Sequence, residues 1–148
     1  RIKKLEKYLT DDINMITYGD GVADIDIDEL VKFHKSHNKI VTVTGVNPPS
    51  RFGELIEKDS QLISFREKPQ TSSGLINGGF MVFNKELLDY LTDDEKCDLE
   101  SGPFEDLANK KQVMVYKLNS DWECVDTERD LLHLNNLWIK DKAFWKNW

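Results

Sequence analysis

Cysteine is scarce in this chain. Cys97 and Cys124 are the only two, far apart and in no C-x-x-C pair, so a disulfide scaffold is excluded and two reduced thiols in a cytoplasmic protein are expected. Eight Gly and four Pro are too few for a low-complexity or collagen-like chain. No apolar run approaches the roughly 18–20 residues of a membrane span. Cations are outnumbered, 20 Lys+Arg against 27 Asp+Glu, and the resulting charge of −7 argues against a general nucleic-acid binder. Also missing are G-x-S-x-G, H-E-x-x-H, G-x-x-x-x-G-K and G-x-G-x-x-G, so hydrolase, zinc-protease, P-loop and dinucleotide-binding readings lack their carriers.

What is present is globular: 39% hydrophobic residues including four Trp and seven Phe, in 148 residues, enough for one core and one domain over 1–148. Residues 1–9, RIKKLEKYL, place Ile2, Leu5 and Leu9 on one side and read as the last turns of an amphipathic helix. INMITY (13–18) fits a strand buried on both faces. Asp26 with Glu29 predicts the start of a helix through DELVKFHKSH, with Ile27, Leu30 and Phe33 on one face, and KIVTVTGV (39–46) follows as a strand. Strand, helix, strand makes one βαβ unit. GELIEKD and QLISFREK predict a hairpin turning at Asp59-Ser60. In GLINGGFMVF (74–83), Gly78-Gly79 signals a bulge or a close backbone approach, with Asn84 capping KELLDYL. Pro103 starts a helix with Ser101 and Gly102 as candidate caps; 112–118 and 122–126 read as strands; Thr127 with Asp130 opens a long final helix over about 127–148. The pattern is α/β, a mixed, mainly parallel sheet flanked by helices. A doubly wound fold opens on a strand, whereas this chain opens inside a helix, so the sheet is expected to be incomplete.

Residues 11–29 hold seven carboxylates and no Lys or Arg. Asp20 stands apart, directly after Gly19 at the carboxyl end of a strand, where open α/β sheets bind ligands and glycine lets a ligand approach. A hard oxygen donor there suits Mg²⁺; a turn with Gly21 is the plainer alternative. Asp126 mirrors it, ending a strand and opening a helix, either as a helix cap or as a second carboxylate on the same cation. In Glu67-Lys68-Pro69 the proline extends the backbone at Lys68, and a lysine so aimed suits a phosphate; an ordinary surface lysine is the alternative. Asn77-Gly78-Gly79 joins an amide to bare backbone, as a sugar or nucleotide contact needs, or forms a β-bulge. His34 and His37 read as solvent-facing. Trp138, Phe144 and Trp145, with Trp148, read as a clasp on the core or a subunit contact, and the acidity of the chain argues against a membrane-surface helix.

Taken in order, TYGDGVADIDIDEL (17–30), VNPPSRFGEL (46–55), FREKP (65–69), INGGFMVF (76–83), PFEDLA (103–108) and W-x-x-x-DT-x-RD (122–130) closely resemble the glucose-1-phosphate cytidylyltransferases, a branch of the sugar-1-phosphate nucleotidylyltransferases. The resemblance implies a glycosyltransferase-A-like nucleotidyltransferase fold, of which this chain is the C-terminal portion, and the formation of CDP-glucose and pyrophosphate from CTP and glucose 1-phosphate with Mg²⁺. By position it implies that Asp20 and Asp126 bind the metal and that Gly19 packs against the nucleotide sugar. Lys68 would hold the sugar phosphate, and Glu67, Asn77 and Gly79 would line the hexose pocket. The composition and the aromatic C-terminal segment add the expectation of a cytoplasmic homo-oligomer without nucleic-acid or membrane partners. The family's Gly-rich G-G-x-G-T-R-L signature is absent here, so the 148 residues alone are expected to bind without turning over.

Overall fold

The computed structural model describes residues 1–48, 54–66, 74–94 and 97–147. The chain forms two compact units, one of residues 1–19, 26–44 and 79–117, the other of 20–25, 45–78 and 118–148.

The first unit holds most of a four-stranded sheet in the order β1-β6-β3-β7, from β1 (Ile13–Ile16), β3 (Val41–Val46), β6 (Ile76–Asn84) and β7 (Val113–Lys117), residues 45–46 and 76–78 of which fall in the second unit. Strand β6 opposes β1, with Ile13 across from Asn84 and Ile16 from Met81. Strands β3 and β7 run together: Val41 N donates to Gln112 O at one end and Leu118 N to Gly45 O at the other. Three strands therefore point one way and β6 points against them, giving the mixed α/β sheet. The insertion of β6 between β1 and β3 also moves β1 to an edge. Contrary to the expectation of two covered faces, Met15 is 43% exposed there, and the buried side chain is Asn14, whose amide donates to Asp11 O at 2.8 Å. The strands covered on both faces are β3, where Val41, Thr42, Thr44 and Val46 are buried, and β6, where Met81, Val82 and Phe83 are buried. Phe83 joins Val41, Leu87, Leu88, Leu91 and Leu107 in one core, each buried side chain contributing about 1.5–3 kcal/mol.

Helix α1 (Ile27–Lys35) begins where Asp26 predicts: its carboxylate accepts from Glu29 N at 3.0 Å, and Asp28 and Glu29 sit in the first turn, favourable to the helix dipole. The buried face is Leu30 and His34, while Ile27 is 38% exposed. His34 is thus inside, not solvent-facing, because Thr42 and Asn84 give its two nitrogens partners at 2.8 and 3.0 Å. That use of Asn84 also explains why its side chain makes no cap bond to Lys85–Tyr90, which is a 3-10 segment. Lys3–Tyr8 is likewise 3-10 wound: Ile2 and Leu9 pack on the core and Leu5 is exposed. Ser101 and Gly102 do not cap; they lie in a π-turn, Glu100–Phe104, that leads into α2 (Glu105–Asn109).

The second unit holds two antiparallel ribbons, β2 (Gly21–Ala23) with β8 (Trp122–Cys124), and β4 (Glu54–Lys58) with β5 (Gln61–Arg66). Asp59 and Ser60 join the latter pair with φ of 52° and 67°, the left-handed geometry a tight two-residue hairpin requires. Helix α3 (Glu128–Ile139) opens on a full capping box between Thr127 and Asp130. It does not run to the C-terminus. The expected aromatic helix over 127–148 is corrected to one ending at Ile139: only Trp138 lies on it, and Phe144 and Trp145 meet edge-to-face beyond it, 4.9 Å between centroids.

Candidate active site

The β2–β8 ribbon builds the best-defined cluster of candidate residues. Gly21 pairs with Cys124, Val22 with Glu123 and Ala23 with Trp122, and the ladder continues as Val125 N donates to Asp20 O at 2.8 Å. Asp20 thus stands across from Val125, next in the chain to Asp126, and both aspartates are exposed at the open end of the ribbon. The two roles left open for Asp126 are separated by α3. Thr127 Oγ1 accepts from Asp130 N, while Asp130 Oδ2 accepts from Thr127 N at 2.9 Å and from Asp126 N at 3.2 Å. The cap is therefore Thr127, and the Asp126 carboxylate instead accepts from the Cys124 thiol, Sγ to Oδ2 3.3 Å.

Trp122 ties this ribbon to the strand carrying Asn77, its indole Nε1 donating to Gly78 O at 2.9 Å. A Cβ on Gly21 would touch the same two groups at 3.6 and 3.7 Å, ordinary contact distances. Asp20, Asn77 and Asp126 consequently share the second unit. Trp122 and Cys124 have structural roles that the strand and motif patterns do not assign, and Asp130 adds to its expected place in the cap a bond from Asp126 N. Trp122 was legible only as the first letter of the W-x-x-x-DT-x-RD motif.

Gly19 and Gly79 belong to the first unit. Gly79 has φ +84°, and a Cβ there would lie 3.0 Å from the Tyr18 ring, so of the two readings of Gly78-Gly79 the close approach is realised at Gly79, with Tyr18 N donating to Gly79 O at 3.3 Å. The Tyr18 hydroxyl donates to the Glu100 carboxylate, fixing the ring against the π-turn. Among the described residues nothing lies within 4 Å of a Cβ position at Gly19, so none of them demands a glycine there by packing. Glu67 and Lys68 lie outside the described residues.

The family model for nucleotidyl transferases matches residues 2–141. The chain belongs to the nucleotidyl transferase family. The glucose-1-phosphate cytidylyltransferases of Salmonella typhimurium and Salmonella typhi are both 42% identical to it over 149 residues, covering 100% of this chain and 58% of their own length. The chain therefore spans under two thirds of the curated relatives it matches. A solved structure from Bacillus anthracis, provisionally named a glucose-1-phosphate thymidylyltransferase and holding sucrose, superposes with a TM-score of 0.66 at 18% identity, over 99% of this chain and 61% of that one. That likeness speaks for the fold. In this nucleotidyl transferase chain the family match takes in Asp20, Asn77, Gly79 and Asp126 and ends two residues past α3, before Phe144 and Trp145.

Proposed function

We propose that the protein transfers a cytidylyl group to glucose 1-phosphate. A phosphate oxygen of α-D-glucose 1-phosphate attacks the α-phosphorus of CTP, the new P–O bond forms as the bond to the β,γ-diphosphate breaks, and CDP-glucose and pyrophosphate leave. The observation that supports this reading is the β2–β8 register, extended by the bond from Val125 N to Asp20 O, which leaves Asp20 opposite the residue that precedes Asp126, while Thr127 serves as the helix cap. The 42% identity to glucose-1-phosphate cytidylyltransferases supports CTP and glucose 1-phosphate as the substrates.

The donors fit Mg²⁺. Among the described residues no group of three or more His, Cys, Asp or Glu side chains gathers, and Mg²⁺ is usually held by one or two carboxylates with water and phosphate oxygens completing its shell. Asp20 and Asp126 would supply the two carboxylates, and the ion would neutralise charge on the phosphates. The rest is positioning by this chain. Lys68 orients the sugar phosphate as a point charge, Glu67, Asn77 and Gly79 line the hexose, and Gly19 leaves room for the nucleotide sugar. Such positioning and electrostatics supply most of the rate where little covalent chemistry falls to the protein.

Two free thiols suit a reducing compartment, and no described helix is long and apolar enough to cross a membrane; we place the reaction in the cytoplasm, in a homo-oligomer, supplying an activated sugar for polysaccharide synthesis. The test is pyrophosphate release by the protein expressed from its full reading frame, with glucose 1-phosphate and CTP, UTP or dTTP in turn. CTP should be preferred by at least about tenfold, and Asp20→Asn and Asp126→Asn should each lower kcat/KM by about 100-fold or more, a loss of about 2.7 kcal/mol of transition-state stabilisation. Preference for UTP or dTTP would overturn the nucleotide assignment. Full activity in either asparagine variant would overturn the metal assignment. The 148 residues alone should bind glucose 1-phosphate without releasing pyrophosphate.

A further inference from the structure

The geometry points to Asp130 as a positioning residue for the Asp126 carboxylate, a role separate from its place in the helix cap and resting on the proposed metal site. One oxygen of Asp130, Oδ2, gathers three donors: Thr127 N and Thr127 Oγ1, both at 2.9 Å, and Asp126 N at 3.2 Å. A capping box needs the side chain at the fourth position to reach only the cap residue's own N–H. The bond to Asp126 N is additional. It pins the peptide that carries the candidate metal ligand to the first turn of α3, one residue beyond the last ladder bond given for this strand, Val125 N to Asp20 O.

The Asp126 side chain is held from the other direction. The Cys124 thiol donates to Oδ2 from two residues upstream, on the strand paired with Gly21. Backbone from below and carboxylate from the side are thus both constrained, as outer partners constrain the ligands of a metal. Asp130 would touch neither metal nor substrate; it acts through the Asp126 peptide. Its charge is accommodated by the N-terminus of α3, where carboxylates are favoured.

Mn²⁺ binding, followed by its electron-paramagnetic-resonance signal beside thermal unfolding of the same samples, tests this in the protein from its full reading frame. Asp130→Ala should weaken Mn²⁺ binding 10–100-fold, the range typical of an outer-shell loss. Thr127→Ala removes the cap hydroxyl but leaves the bond from Asp126 N, so it should lower Tm comparably while binding stays within about threefold. Asp130→Glu keeps a carboxylate at the position where capping boxes favour one and should restore binding. If Thr127→Ala and Asp130→Ala lose Mn²⁺ in step with Tm, or Asp130→Ala binds as the wild type does while Asp126→Asn does not, the positioning role is overturned and the metal site stands. If Asp126→Asn binds as the wild type does, or the wild type takes no Mn²⁺, the metal site falls and this role with it.

Discussion

Thr42 and Thr44 lie two residues apart on β3, on the same face, and both are fully buried, yet they do opposite things. Asn84 Nδ2 donates to Lys39 O, which turns Asn84 Oδ1 toward His34 and makes His34 Nε2 the donor. His34 Nδ1 then accepts from Thr42, and Thr42 Oγ1 accepts in turn from His37 Nε2 at 2.8 Å, while His37 Nδ1 accepts from Lys39 N. Every ring nitrogen of the two histidines has a partner in this network. The Thr44 hydroxyl has no partner among the described residues. Thr42→Val should cost about 2–3 kcal/mol by stranding two imidazole nitrogens, whereas Thr44→Val, which keeps the shape and removes an unsatisfied hydroxyl, should stabilise by about 1 kcal/mol; urea unfolding of the two variants checks both signs. The same network sets a pH dependence. Burial, aided by His34 and Lys39 and opposed by its own backbone hydrogen bond, pulls His37 below its ordinary value of about 6.5. The unfolded chain therefore binds the proton first, so this contribution is complete above about pH 6.5 and is lost as pH falls from there toward the lowered native value. Stability measured from pH 8 to 5 should decline over that window, and His37→Gln should flatten the decline. None of this was legible in the sequence, where two histidines three apart on a Lys-flanked helix resemble a solvated face. What decides their burial is the arrival of Asn84 from fifty residues away.

At the scale of elements, the starts of α1 and α3 were legible, while the caps expected at Asn84, Ser101 and Gly102 and the stop of α3 were not. Starts are written in side chains: Asp26 and Thr127 both cap as expected. The stops of α2 and α3 are backbone motifs of one type. Gln112 N bonds Leu107 O and Lys111 N bonds Ala108 O; Lys142 N bonds Leu137 O and Asp141 N bonds Trp138 O. Each pair forms the two reversed bonds of a Schellman motif, whose left-handed residue is usually glycine. Here the positions are Lys111, φ 56°, and Asp141, φ 55°, so the usual stop signal is missing, and α3 reads as though it ran through the aromatic segment to Trp148. Replacing either residue with Gly relieves a left-handed cost of about 1–2 kcal/mol and adds about 0.5–1 kcal/mol of unfolded-chain entropy. Lys111→Gly and Asp141→Gly should each stabilise by about 0.5–1 kcal/mol, additively in the double variant since the two stand in different units, as seen in denaturation midpoints. The candidate site divides along the same line. Asp20 and Asp126 stand out as carboxylates at strand ends, a local pattern. That Asp126 escapes capping depends on Asp130 choosing Thr127, and that β1 is an edge depends on β6 entering the sheet beside it; neither is local.

For the molecule as a whole, the distribution of exposed apolar surface argues for self-association. The β4–β5 hairpin exposes Leu55 at 67% and Phe65 at 54%, paired across the strands, together with Leu62 and Ile63, which alternation sends to opposite faces. A two-stranded ribbon is marginal in water alone, and both of its edges are unpaired among the described residues, so apolar faces and open backbone coincide in one element. Helix α3 adds Leu131, Leu132 and Ile139, the last 78% exposed. Clustered exposure of this kind marks contact surfaces, where single exposed apolar residues would mean little. The net charge of −7 opposes association only weakly, because beyond about 8–10 Å at ordinary salt it is screened, while apolar burial at a contact is not. In sedimentation velocity the 148-residue chain should therefore populate species heavier than 17.2 kDa, increasingly so with concentration. The paired change Leu55→Lys with Phe65→Lys should shift the distribution to monomer without lowering Tm, since each side chain is already more than half in solvent and loses little native packing. A single 17.2 kDa species at every concentration would overturn the argument, and association that survives the paired lysines would move the contact from the hairpin to the exposed face of α3.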